Sequence, residues 1–253
     1  MKLRPPEILV LLLTLALAGC ASLRSEQNGI NNPASYHYQM GLSFLGERNF
    51  TSALVELTKA EQLDSDNPEI LYNLGMAYLG KGRPDLAEGK LQRAVMLKPN
   101  YSSARNDLGV AYLELKRWDN AIQQFKIVKD DIFYASNDNA AINLGLAYLG
   151  KGDYPKALEE LRAVAAANPR NPVVRVALGR VWFAMEKTDQ AIEEYNRALE
   201  FYRDYGSAWY YLGLAQLKLN NQSEARTAFR EVLRIFPDSD LGRLSTGYLE
   251  LLK

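Results

Sequence analysis

The chain has 253 residues, 47% of them hydrophobic, with 30 Lys+Arg set against 30 Asp+Glu. That is enough apolar material for a sizeable core, and too little charge bias for disorder or for the basic footprint that nucleic acid demands. A single cysteine, Cys20, and a single histidine, His37, exclude a disulfide framework and a four-ligand Cys/His zinc site.

At the N-terminus, Lys2 and Arg4 precede an apolar stretch from Ile8 to Ala18 that ends at Gly19-Cys20. Eleven residues are too few to span a bilayer, which needs about 20 in a helix. A basic start, a short apolar run and small residues at its end read as a signal peptide over residues 1–19. The junction Leu17-Ala18-Gly19-Cys20 resembles the lipobox of bacterial lipoproteins. The resemblance implies cleavage before Cys20 and fatty acylation of the cysteine, so that the protein is anchored to a membrane without crossing it. It also implies, from Ala21, sorting to the outer membrane, on the inner leaflet facing the periplasm. The competing reading is a plain signal peptide with a chance cysteine. Removal of residues 1–19 takes away Lys2, Arg4 and Glu7 and leaves 28 basic and 29 acidic residues. Residues 20–33, mostly polar and without a helical stripe, read as a lipidated tether.

From there a hydrophobic residue followed by glycine recurs at Met40-Gly41, Leu74-Gly75, Leu108-Gly109, Leu144-Gly145, Leu178-Gly179 and Leu212-Gly213, with glycine spacings of 34, 34, 36, 34 and 34. Twelve residues after each glycine stands an alanine: Ala53, Ala87, Ala121, Ala157, Ala191 and Ala225. Four further on come Leu57, Leu91, Phe125, Leu161, Tyr195 and Phe229, and an aromatic lies three after the glycine in all but the last unit, where Gln216 stands. Glycine and alanine at these points allow two antiparallel helices to approach closely, and the bulky residues fill the adjacent gaps. The pattern resembles the tetratricopeptide repeat, a 34-residue helix–turn–helix unit. The resemblance implies an all-α, right-handed solenoid of six repeats (34–67, 68–101, 102–135, 138–171, 172–205, 206–239). Residues 240–253, with Leu241, Leu244, Tyr248, Leu251 and Leu252 at helical spacing, then form a capping helix. Two inserted residues lengthen the connection 129–137 between the third and fourth repeats, either as a tolerated loop or as a contact for a partner.

In tetratricopeptide arrays the first helix of each repeat lines a concave groove. That resemblance assigns the groove to Tyr38, Leu42, Tyr72, Met76, Leu79, Asn106, Val110, Ile142 and Leu146, an apolar, tyrosine-bearing surface suited to a hydrophobic peptide or helix. The alternative is that these side chains pack on the next repeat. On the groove reading, alanine at Tyr38 and Tyr72 leaves stability nearly intact. His37 falls on the side facing the paired helix and reads as a packed residue. No phosphate loop, metal cluster or catalytic carboxylate pair stands out, so no enzymatic activity, cofactor or metal is expected.

Lipobox, tether, six repeats, the long third connection and the segment Asp131-Ile132-Phe133-Tyr134 resemble the type IV pilus biogenesis and stability lipoproteins, the pilotins of PilF/PilW type. Met40 in place of leucine and the prolines absent after repeats one, three and five depart from the pattern. The resemblance implies a protein partner, the secretin subunits that multimerise into the pilus pore, and membrane attachment through lipid. The alternative is an adaptor lipoprotein that docks a periplasmic protease or peptidoglycan enzyme. Cys20→Ser is expected to leave the chain unprocessed or soluble, and fractionation of cell membranes checks this; undiminished partitioning with the outer membrane would remove the lipid anchor from consideration.

Overall fold

Short polar side chains placed just before apolar runs start several of the helices. Asn32 accepts a hydrogen bond from the Ala34 backbone N–H (3.0 Å), Asn67 from Glu69 and Ile70 (3.1 and 3.3 Å), and Asn171 from Val173 (2.9 Å). In each of these three, proline follows at the first helical position, where its missing N–H costs nothing and its fixed φ suits the helix. The structure, a computed structural model, describes residues 32–252. The signal peptide and Cys20 lie outside the described residues, as does nearly all of the tether; Pro33, assigned to the tether above, instead opens the first helix because Asn32 caps it.

Among the described residues there are thirteen helices and no strands: α1 (Pro33–Gly46), α2 (Phe50–Leu63), α3 (Pro68–Gly80), α4 (Pro84–Leu97), α5 (Ser102–Glu114), α6 (Trp118–Lys129), α7 (Asn137–Lys151), α8 (Tyr154–Ala167), α9 (Pro172–Ala184), α10 (Thr188–Phe201), α11 (Gly206–Lys218), α12 (Gln222–Ile235) and α13 (Asp240–Leu251). The chain is therefore an all-α array of tetratricopeptide-type hairpins. It divides into two compact units, one ending at Asp107 and one beginning at Leu108. In the first unit α1 packs on α2, α3 on α4, and α1 also on α3. In the second, α7 packs on α8, α9 on α10 and α11 on α12, while α7 meets α9 and α9 meets α11. First helices thus lie beside first helices within each unit.

The glycines sit where the hairpin is tightest. A Cβ added at Gly41 would lie 2.6 Å from Leu57 Cγ, one at Gly145 2.6 Å from Leu161 Cγ, and one at Gly213 2.7 Å from Phe229 Cε1. Leu57, Leu161 and Phe229 are fully buried and cannot retreat. The turn that follows each first helix places one residue in the left-handed region: Arg48, Gly82, Lys116, Gly152, Glu186 and Asn220, with φ between 57° and 83°. The next residue then donates its N–H five positions back, as Asn49 does to Phe44 (2.8 Å), Arg117 to Tyr112 (2.8 Å) and Asp153 to Tyr148 (2.9 Å). This closes the helix end by the Schellman pattern.

The connection expected over 129–137 is shorter. Lys129 still belongs to α6 and Asn137 opens α7, leaving residues 130–136 as the link. Tyr248 of α13 stacks on Phe229 (centroids 4.9 Å, planes 7° apart) and Leu252, which follows α13, is buried, so these residues cover the end of the second unit's core. Leu244 and Leu251 do not share in this; they face outward, 51% and 83% exposed.

Gly145→Leu is expected to destabilise the chain by about 3 kcal/mol, through overpacking at a site with no room to relax. Gly89, where an added Cβ meets nothing within 4 Å, supplies the control: Gly89→Ala should be neutral or stabilise by up to about 1 kcal/mol. Thermal melts followed by circular dichroism separate the two.

Candidate protein-binding surface

The fifth residue of each repeat distinguishes the two units. Tyr38, Tyr72 and Asn106, in the first unit, are half-buried. Ile142, Val176 and Tyr210, at the same position in the second, are buried at 2%, 5% and 9% exposure. Ile142, expected in the groove, is therefore a core residue: α7 packs on α8 and meets α9, and the short Ile142 side chain is covered there. Val110 and Leu146 remain half-buried in the second unit, as do Leu42, Met76 and Leu79 in the first.

The tyrosines of the first unit are tied into a network. Tyr38 packs against the core formed by Ala53, Leu57, Ile70 and Leu74, and its hydroxyl accepts a hydrogen bond from the amide of buried Asn73 (3.2 Å). Asn73 donates also to the backbone carbonyl of Glu69 (2.8 Å). Tyr72 packs with Tyr101 around Leu71, Ala94 and Ala104, the two rings 5.0 Å apart and tilted by 50°. Lys98 lies over the Tyr101 ring at 4.5 Å and pairs with Glu69 at 2.8 Å. Asn106 donates to the carboxylate of the adjoining Asp107 (3.1 Å).

Burial sets the electrostatics. It pushes the Tyr101 phenol up to about 12, with the carboxylate of Glu69 raising it further. It also raises Tyr38, reinforced by Glu69 and partly opposed by the Asn73 hydrogen bond. The Asp107 carboxyl is raised by burial too, with hydrogen bonds from Asn106 and Tyr72 pulling the other way. Both phenols stay protonated throughout the physiological range, so this face offers neutral hydroxyls and ring surfaces. Such a surface can hold a protein segment by apolar contact while bonding to its backbone.

Tyr38, Leu42, Tyr72, Met76, Leu79 and Asn106, all expected in the groove, lie in the first unit and are half-buried there. The repeat pattern gave no place to Asn73, Tyr101 and Asp107. Asn73 and Asp107 follow the fifth position directly, and two polar residues beside that row were the available signal. Tyr101 stands just before α5 and carried no signal of its own. His37 faces α2 as its position implied, its Nδ1 lying 2.6 Å from Glu56 Oε2. Glu56 is held below the usual carboxylate range by Lys59 first and then by His37.

Family models described as tetratricopeptide repeat or TPR repeat match residues 49–82, 68–101, 148–217 and 207–239. Among curated proteins, RNA polymerase II-associated protein 3 of Mus musculus is 30% identical over 95 residues, which span 38% of this chain but 14% of that protein. Among solved structures, a tetratricopeptide repeat protein from Parabacteroides merdae superposes with a TM-score of 0.77 at 18% identity, over 92% of this chain and 88% of its own. PilW, described as a widely conserved type IV pilus biogenesis factor, gives 0.70 at 17% identity, over 85% of this chain and 99% of its own. Pseudomonas aeruginosa pilF gives 0.63 at 19% identity, over 87% and 99%. At these identities the likeness is one of fold.

The network corrects the expectation for Tyr38 and Tyr72. Tyr38→Ala opens a void against a buried core and strips Asn73 of a partner, so a loss of about 2 kcal/mol or more is expected. Tyr38→Phe, which keeps the ring, should cost about 1 kcal/mol. Urea denaturation of the two variants measures the difference.

Proposed function

Because the chain is a tetratricopeptide-repeat protein, and hence a protein-interaction scaffold, we propose that it acts as a pilotin-type lipoprotein, lipidated at Cys20 and held at the outer membrane. In that role it delivers secretin subunits to the membrane and promotes their multimerisation for a type IV pilus. The observation that carries the reading is the difference between units: the fifth position is open and tyrosine-bearing in the first unit and buried in the second. On this reading a partner segment lies against α1 and α3, where Leu42, Met76 and Leu79 are half-buried apolar side chains. The fold shared with PilW, described as a type IV pilus biogenesis factor, is consistent with a place in pilus biogenesis, and the lipobox-like start with the lipid anchor. The reading requires no chemistry, only a rigid face held near the lipid anchor.

Leu42 and Met76, unlike the tyrosines, can be changed without dismantling the aromatic network. The double variant Leu42→Gln and Met76→Gln is expected to keep its melting temperature while its affinity for purified secretin subunits falls about tenfold, equivalent to some 1.4 kcal/mol. Fewer secretin multimers should then be recovered from outer membranes. Undiminished secretin assembly by a stable variant would overturn this reading, and recovery of a protease or cell-wall hydrolase in place of secretin would favour the adaptor role.

A further inference from the structure

The second unit holds a cavity of about 360 Å³ between α8, α9 and α10. Arg162, Arg175 and Arg197 line it, with a single carboxylate, Glu194, and the indole of Trp182. Glu194 is 8% exposed and fully engaged: Arg175 Nη1 lies 3.1 Å from its Oε2 and Arg197 Nη1 2.9 Å from its Oε1. A buried carboxylate requires such partners, so two of the three guanidinium groups are explained by the fold. Arg175 also donates to the Pro169 carbonyl (3.1 Å) and Arg197 to Glu193 (2.5 Å).

Arg162 is not explained in this way. It is exposed, has no ion pair or side-chain hydrogen bond among the described residues, and lies with Cζ 5.4 Å from the centre of the Trp182 ring. The indole restrains it without satisfying its N–H groups, which can number five in a planar fork. Lys187 approaches the same ring at 5.1 Å. The cavity thus has a surplus of positive charge over its one buried carboxylate. Leu178 and Ala165 also line it, adding apolar surface.

We propose that this cavity is a second binding site, separate from the tyrosine face, which takes a carboxylate on a short apolar stem presented by a protein segment. Arg162 supplies the bidentate fork, Arg175 and Arg197 supply positive potential from behind, and the apolar lining takes the stem. The size is that of an ordinary small-ligand pocket and admits one side chain or a chain terminus. Glu194 in the wall favours a monoanion over a phosphate dianion. A C-terminal carboxylate and an acidic side chain share this chemistry, and the probes below separate them.

The test follows the indole N–H resonance of Trp182 in the full 15N-labelled chain, assigned by its disappearance in Trp182→Phe. N-acetyl-leucine represents a chain terminus and N-acetyl-glutamate α-methylamide an acidic side chain. N-acetyl-leucine methylamide lacks the carboxylate, and inorganic phosphate serves as a non-carboxylate anion. At least one of the two carboxylate probes should shift the resonance saturably with a Kd in the millimolar range, as expected for so small a ligand. The stronger of the two identifies the source. In Arg162→Gln the affinity should fall at least tenfold with the melting temperature unchanged, since Arg162 is exposed. The proposal is overturned if neither carboxylate shifts the resonance, if the methylamide or phosphate does so equally, or if Arg162→Gln binds undiminished.

Discussion

One close approach per hairpin governs the rest of the fold. At Gly41, Gly75, Gly109, Gly145, Gly179 and Gly213 a large side chain sixteen residues later presses so near that even a methyl group would collide with it. That partner is leucine, phenylalanine or tyrosine, and the alanines around it keep the second helix equally close. The contact sets how two helices cross and therefore which residues of each first helix remain for other work. It also explains where the chain tolerates length. The two additional residues between the third and fourth repeats fall in the link 130–136, outside any hairpin. The sixteen-residue relation of Gly145 to Leu161 is undisturbed, and Ile132 and Phe133 project into solvent at 83% and 90% exposure.

Charge follows the same geometry without creating it. Lys90 pairs with Glu61 (2.6 Å), Lys98 with Glu69 (2.8 Å), Lys129 with Glu160 (2.7 Å) and Lys151 with Asp119 (2.5 Å), each joining successive hairpins or their helices. Most of these side chains are well exposed, and such pairs contribute between nothing and about 1 kcal/mol each. The pair of Arg175 with Glu194 differs, because both side chains are largely buried. There the arginine is needed to compensate a carboxylate removed from water, and the surplus cation beside it acquires its meaning from that pairing.

Within the first unit the tyrosines carry two duties. Tyr38 and Tyr72 extend the core while remaining only half-buried, so binding and stability are linked there. A partner would meet a face already organised by Asn73, Glu69 and Lys98, which reduces the side-chain ordering that association requires.

The sequence by itself determined the helical class, the number of hairpins and the positions of closest approach, since a 34-residue recurrence of small residues admits few other packings. It determined too that an aromatic would stand near the turn in every unit but the last. It did not show that Arg48, Lys116 and Glu186 would take left-handed backbone like Gly82 and Gly152, because the turn is imposed by the helices it joins and not by the residue in it. Nor did it separate Tyr38 and Tyr72 from Ile142: all three occupy the same repeat position, and burial depends on which helices lie on either side. The convergence of Arg162, Arg175 and Arg197 on one cavity was illegible for the same reason. Those residues belong to three helices, and only packing of α8, α9 and α10 brings their charges around a single buried glutamate.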